Sequence, residues 1–404
     1  MQSGTKNYLT ITASYWAFTV TDGALRMLVV LYFHTLGYSA FDIALLFLLY
    51  EFFGIVTNLV GGWLGARLGV NTTLHLGMAL QIVALILLAV PDAWLSVLYV
   101  MVAQALSGIA KDLNKMSAKS SIKLLVPANS DDRLFRWVSA LTGSKNALKG
   151  AGFFLGAVLL ELLEFRGALV ALATLLVLVL GASTALLTRG LGKMSSKPKF
   201  NRVFSQNPHI NWLAAGRFFL FGARDAWFVV GLPVFMVSVL NFSFGEVGAY
   251  MALWVIGYGV VQAIAPQIVG RNGTPRGTTA TYWIGALTLV PLAIALLLDS
   301  QFDPAVTVLG GLLIFGVLFA INSAIHSFLI LAYAEDDAVA MNVGFYYMAN
   351  AGGRLLGTLI SGSAYQFGGL SACLYWSAAL LIVSTMLSTK LPREQPGSSS
   401  AALE

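Results

Sequence analysis

Long apolar runs separated by short polar breaks dominate the chain. They fall at 8–36, 41–66, 72–91, 94–115, 134–163 and 165–188, then at 209–240, 245–270, 277–298, 305–333, 339–364 and 369–389. An α-helix needs roughly 20 apolar residues to cross a hydrocarbon layer. Twelve such runs predict an all-α polytopic membrane protein with twelve transmembrane helices. The longest basic polar stretch, RGLGKMSSKPKFNRVFSQNPH, separates the sixth run from the seventh. It divides the chain into a six-helix bundle over 1–188, a cytoplasmic linker over 189–208 and a second six-helix bundle over 209–390. Residues 391–404, ending GSSSAALE, are expected to be a disordered tail.

The halves repeat at a shift of about 203 residues. Asp22 matches Asp225, Gly54 matches Gly257, Asn146-Ala147 matches Asn350-Ala351, and Phe165 matches Phe367. Two parallel six-helix repeats joined by a basic linker resemble the organisation of the major facilitator superfamily.

Composition agrees with a lipid solvent. Residues of the AVILMFWYC set make up 58% of the 404 and charged residues only 10%, against roughly 25% charged in soluble domains. Forty glycines suit close helix contacts in a bilayer. The single cysteine, Cys373, leaves no intrachain disulfide. No cleavable signal peptide is evident, because Tyr8 runs directly into a full-length span.

The distribution of charge sets an orientation. With the N-terminus inside, fifteen Lys and Arg fall on the cytoplasmic side, including Arg189, Lys193, Lys197, Lys199 and Arg202, and one, Arg166, on the other. The outer side carries Asp42, Asp92, Glu161, Glu164, Glu246, Asp299 and Asp303; Glu335-Asp336-Asp337 is an acidic exception inside. The positive-inside bias predicts both termini in the cytoplasm. It also accounts for most of the net charge of +6, so no nucleic-acid partner is needed.

Eight cations remain within spans: Arg26, Lys111, Lys115, Lys145, Lys149, Arg217, Arg224 and Arg354. Four acids accompany them: Asp22, Glu51, Asp112 and Asp225. Each charge is costly in a membrane unless paired or facing water, and a surplus of four positive charges calls for an anion. Lys145 and Lys149 are i,i+4 and share a helix face, where like charges repel. Lys111, Lys115 and Lys119 continue at the same spacing down span 4, Arg217 and Arg224 share a stripe of span 7, and Arg354 sits in GGRLLG. With Asn146 as a hydrogen-bonding neighbour, these cations are the candidate binding residues for an oxyanion, since arginine offers a bidentate fork and lysine a point charge.

The competing reading is internal pairing, of Arg26 with Asp22, of Lys111 or Lys115 with Asp112, and of Arg224 with Asp225. Lys115 and Lys119 can also snorkel toward the cytoplasm. Asp22, Glu51 and Asp225 are the proton-coupling candidates, or else static counter-ions. His326 reads first as a satisfied core histidine. Gly150, Gly152 and Gly156 on span 5, and Gly353 and Gly357 on span 11, are close-packing signals. No GxxxxGK[ST] motif supplies ATP hydrolysis, so a gradient must supply the energy. No motif suggests a cofactor, a metal site or an enzyme.

Residues 61–69, GGWLGARLG, resemble the major facilitator loop signature through Gly62, Leu64, Arg67 and Gly69. The signature's aspartate is Ala66 here and its trailing basic pair is Val70-Asn71. That departure puts the signature's cytoplasmic latch in doubt. A closer resemblance lies in YWAFTVTDGALRMLVVLYFH (15–34), LLYEFFGIVTNLVGGWLGARLG (48–69), LSGIAKDLNKMSAKS (106–120), LTGSKNALKG (141–150) and FLFGARDAWFVVGLPVF (219–235). These blocks look like the ArsJ family of organoarsenical efflux permeases. The resemblance implies a bacterial inner-membrane exporter of 1-arseno-3-phosphoglycerate, the ester formed when glyceraldehyde-3-phosphate dehydrogenase uses arsenate in place of phosphate. Export would confer arsenate resistance, with proton antiport as the expected coupling. An organophosphate importer or exchanger of the same fold is the alternative. The family supplies the substrate; the charge surplus supplies only an anion.

Overall fold

The computed structural model describes residues 2–37, 46–126, 130–187, 205–242, 244–270, 273–300, 302–335 and 338–393. Every regular element among them is helical. In the first half these are α1 (Gln2–Thr35), α2 (Leu48–Leu68), α3 (Val70–Leu88) and α4 (Val97–Leu125). Asp131–Leu186 follows, broken by the non-helical backbone of Glu164 into α5 (131–163) and α6 (165–186). The second half contains α7 (Pro208–Phe228, with a short continuation Gly231–Ser238), α8 (Phe244–Val269), α9 (Gly277–Asp299) and α10 (Gly311–Tyr333, after a π turn at Val306–Gly310). Val339–Ser388 is broken at Gly368 and Gly369 into α11 (339–367) and α12 (370–388). Twelve helical segments thus stand where the apolar runs predict them. The basic residues of the linker, Asp42, Asp336, Asp337 and the tail from 394 onward lie outside the described residues.

Among the described residues, eight helical stretches are long and apolar enough to cross a membrane. Two of those eight are the broken pairs α5–α6 and α11–α12. Absent from the eight are α4 and α7, the helices richest in the intramembrane charges. Their sequences cannot pay for lipid exposure on every side, and their charged residues must find partners within the protein.

The chain forms two compact units. Unit 1 is 1–130, 144–204 and 334–348; unit 2 is 131–143, 205–333 and 349–404. In unit 1, α4 packs against α1, α2 and α3. In unit 2, α10 packs against α7, α8 and α9, around the ring cluster of Trp227, Trp254, Phe315 and Phe319.

Small residues set the close crossings. In unit 1, a Cβ on Gly23 would stand 2.8 Å from the Lys149 carbonyl oxygen, and one on Gly152 2.6 Å from that of Val20. In unit 2, Gly353 faces the backbone of Phe218 and Gly357 that of Gly222. The predicted packing role of Gly152, Gly156, Gly353 and Gly357 is what these crossings require. The segment 339–348 joins unit 1 the same way, with Gly344 against Gly62. Ala66, where the loop signature has aspartate, is buried against Ala340 and Met341, in a spot that an unpaired carboxylate would find costly.

The break after α7 is satisfied locally. The buried Ser361 hydroxyl accepts from the backbone N–H of Val230 at 3.3 Å and of Gly231 at 3.0 Å. Irregular backbone at membrane depth needs such a partner.

Candidate functional site

Unit 1 gathers its charged residues from α1, α2, α4 and α5. Tyr50 lies at the centre, almost fully buried. Its hydroxyl donates to Asp22 Oδ1 at 2.8 Å. Its ring lies under two cations, with Lys111 Nζ 3.9 Å and the Arg26 guanidinium 4.9 Å from the centroid, geometry in which a ring quadrupole attracts charge. Arg26 donates to Glu51 Oε1 at 3.0 Å, and Lys111 lies 3.9 Å from Glu51 Oε2 and 3.8 Å from Asp112 Oδ2. Lys115 donates to the other oxygen of Asp112.

This arrangement revises several pairings expected from spacing. Arg26 pairs with Glu51 from α2 and not with Asp22 one turn away, whose Oδ1 accepts from the Tyr50 hydroxyl. Glu51, with no basic neighbour in sequence, is ion-paired to two helices. The pairing of Lys111 and Lys115 with Asp112 is as expected. Lys119 does not snorkel: it is 3% exposed and donates to the Tyr347 hydroxyl. Gly54, a repeat anchor, has a local reason, since a Cβ there would fall 2.8 Å from Asp112 Oδ2. Its counterpart Gly257 has open space at that position.

Lys145 and Lys149 stand apart. Both are half-buried on α5, beside the half-buried Asn146, and neither makes an ion pair or hydrogen bond to a described residue. Like charges one turn apart on a helix face repel.

In unit 2 the cations are more fully matched. Asp225, with no exposed surface, receives Arg224 Nε at 2.6 Å on one oxygen and Arg354 Nε at 3.0 Å on the other. Arg354, which has no acid near it in sequence, therefore has one across 129 residues. Arg217 is buried, donates to Asn350 Oδ1 at 2.9 Å and to Ser323 Oγ at 3.3 Å, and lies 3.8 Å over the Phe221 ring. His326 is fully buried, and neither ring nitrogen has a hydrogen-bond partner among the described residues, unlike the satisfied core histidine that the sequence suggests.

Tyr50 and Tyr347 escaped the sequence reading, because a tyrosine in an apolar run reads as packing. The only signal was position: Tyr50 immediately precedes an intramembrane acid. Among the described residues no His, Cys, Asp and Glu cluster is arranged to hold a metal ion.

The family model described as Major Facilitator Superfamily matches residues 9–358. Among solved structures, the transporter FucP in its outward conformation superposes with a TM-score of 0.75 at 11% identity, covering 98% of this chain and 100% of that one. An outward-facing bacterial homologue of the iron transporter ferroportin gives 0.75 at 15% identity, covering 95% and 98%. The human organic anion transporter MFSD10 gives 0.71 at 17% identity, again covering 95% and 98%. At these identities the likeness is one of fold. No curated protein matches the sequence.

Proposed function

The chain belongs to the Major Facilitator Superfamily of membrane transporters, and from that premise we propose that it exports an anionic phosphate ester, 1-arseno-3-phosphoglycerate, by alternating access in exchange for protons. The observation that carries the reading is the uncompensated pair Lys145 and Lys149 on α5. Around it, Arg26, Lys111, Lys115 and the buried Lys119 make six interior cations in unit 1 against Asp22, Glu51 and Asp112. Arg217, Arg224 and Arg354 outnumber Asp225 in unit 2. Keeping unmatched cations within a bilayer protein is costly, and an oxyanion bound between the two lysines removes both the repulsion and the desolvation cost. That an organic anion transporter shares the fold is consistent with such a cargo.

The arsenical itself comes from the resemblance of residues 15–34, 48–69, 106–120, 141–150 and 219–235 to the ArsJ family. On this reading the protein sits in a bacterial inner membrane with both termini inside, and glyceraldehyde-3-phosphate dehydrogenase supplies its substrate. The labile ester leaves the cell before it hydrolyses, which confers arsenate resistance. Asp22, Glu51 and Asp225 are the carboxylates available for proton exchange.

Everted membrane vesicles test the proposal. Supplied with arsenate, glyceraldehyde 3-phosphate, NAD and the dehydrogenase, they should accumulate arsenic only when all four are present, and an uncoupler should abolish accumulation. Lys145→Ala and Lys149→Ala should each lower the initial rate at least about ten-fold, the effect of losing one charge-assisted contact. Accumulation that survives the uncoupler would remove proton exchange. No accumulation above protein-free vesicles would sink arsenical export and favour an organophosphate importer.

A further inference from the structure

The three acids of the unit 1 cluster are not equivalent. Asp22 is buried and receives the Tyr50 hydroxyl. The Asp112 side chain is 3% exposed, bound by Lys115 and flanked by Lys111, and Gly54 leaves room for its carboxylate. Both are built into the packing. Glu51 is different: its side chain is 44% exposed while it spans Arg26 at 3.0 Å and Lys111 at 3.9 Å.

Both cations also have neighbours other than Glu51. The Tyr50 ring underlies both, the Phe47 ring lies 5.0 Å from the Arg26 guanidinium, and Asp112 holds Lys111 from the other side. The result is a preformed seat of two cations on an aromatic floor, occupied by the most exposed carboxylate of the cluster. An exposed pair contributes little net stability, whereas removing a buried counter-ion strands a desolvated charge. An anion arriving in unit 1 therefore displaces Glu51 more readily than Asp22 or Asp112.

We infer that Glu51 is an internal stand-in for substrate, a displaceable carboxylate that occupies the Arg26–Lys111 seat until a phosphoryl or arsenyl oxyanion takes it. This rests on the reading that unit 1 binds an anion. It assigns Glu51 competition with the ligand, and it assigns Tyr50 the positioning of the cations. A doubly charged oxyanion, with two oxygens to offer two cations, displaces a single carboxylate better than a monoanion does.

The experiment is calorimetric titration of the purified full-length protein in detergent with 3-phosphoglycerate and, separately, inorganic phosphate. Glu51→Gln should tighten binding about five-fold, because an exposed competitor has been removed. Glu51→Asp keeps the charge but shortens the reach to Arg26, and should tighten binding by a smaller measurable factor. Equal or weaker binding by Glu51→Gln overturns the inference. So does tightening by Glu51→Gln with Glu51→Asp unchanged, which is the signature of net charge alone. Lys145→Gln and Lys149→Gln separate the two claims. If both bind like the wild type, or the wild type binds neither anion, the anion reading fails and the inference with it. If they bind more weakly while Glu51→Gln is no tighter, only the inference fails.

Discussion

Asp225 is buried and joins two arginines of unit 2. Its two oxygens receive Arg224 and Arg354 with no solvent to share the load. Asp225→Asn leaves two arginines without their counter-ion, and removing one partner of a buried network costs about 3–5 kcal/mol. Thermal unfolding in detergent should show a large drop in midpoint, or no folded protein at all. Asp92 is the contrast. It accepts from Arg166 at 3.1 Å, but both side chains are about half exposed. The Tyr32 hydroxyl and then Arg166 hold its carboxyl below the usual carboxylate range. That preference favours the folded state above the ordinary aspartate pKa and is lost as pH falls through the lowered value. Asp92→Asn should leave the midpoint at pH 7 unchanged within error, since exposed pairs contribute little.

At the scale of elements, glycine decides how closely helices approach. A Cβ on Gly353 would overlap the Phe218 carbonyl oxygen, and one on Gly357 would sit 2.9 Å from the Asp225 Cβ. Backbone cannot yield there without moving α7 and its charged residues. Gly353→Ala should destabilise by about 1–3 kcal/mol, visible as a lower midpoint, and should reduce transport. Gly257→Ala has open space around it and should be neutral or stabilising by up to about 1 kcal/mol, the helix preference of alanine over glycine. The repeat in sequence treats Gly54 and Gly257 as equivalents; packing does not. Phe165 and Phe367 diverge likewise, the first stacked on Tyr32 at 4.0 Å and the second 89% exposed. Repeats preserve the path of the backbone, and each position then adapts to the neighbours its own half supplies.

For the whole molecule, the asymmetry of basic residues predicts how it sits in the bilayer. Cys373 is buried and unpaired, so a Cys373→Ala background gives a clean label experiment. Asp92→Cys should react with an impermeant maleimide in intact cells, whereas Lys6→Cys and Lys390→Cys should react only after permeabilisation. The reverse pattern would overturn the cytoplasmic placement of the termini.

Twelve spans, two repeats and an excess of intramembrane cations were all legible in the linear chain. Partition into lipid depends on local composition, and helices follow because backbone polar groups in hydrocarbon must satisfy one another within the segment. The surplus of intramembrane cations from which an anion site is proposed was legible for the same reason, since charge is a property of composition. Which cations are matched is not such a property. Arg354 finds Asp225, Arg26 takes Glu51 in place of Asp22, and Tyr50 holds two cations that no spacing joins to it. Those pairings depend on how helices distant in sequence are rotated and how closely their glycines let them approach. Tertiary packing therefore decided which acids are walled in, that Glu51 remains accessible, and that Lys145 and Lys149 make no ion pair among the described residues.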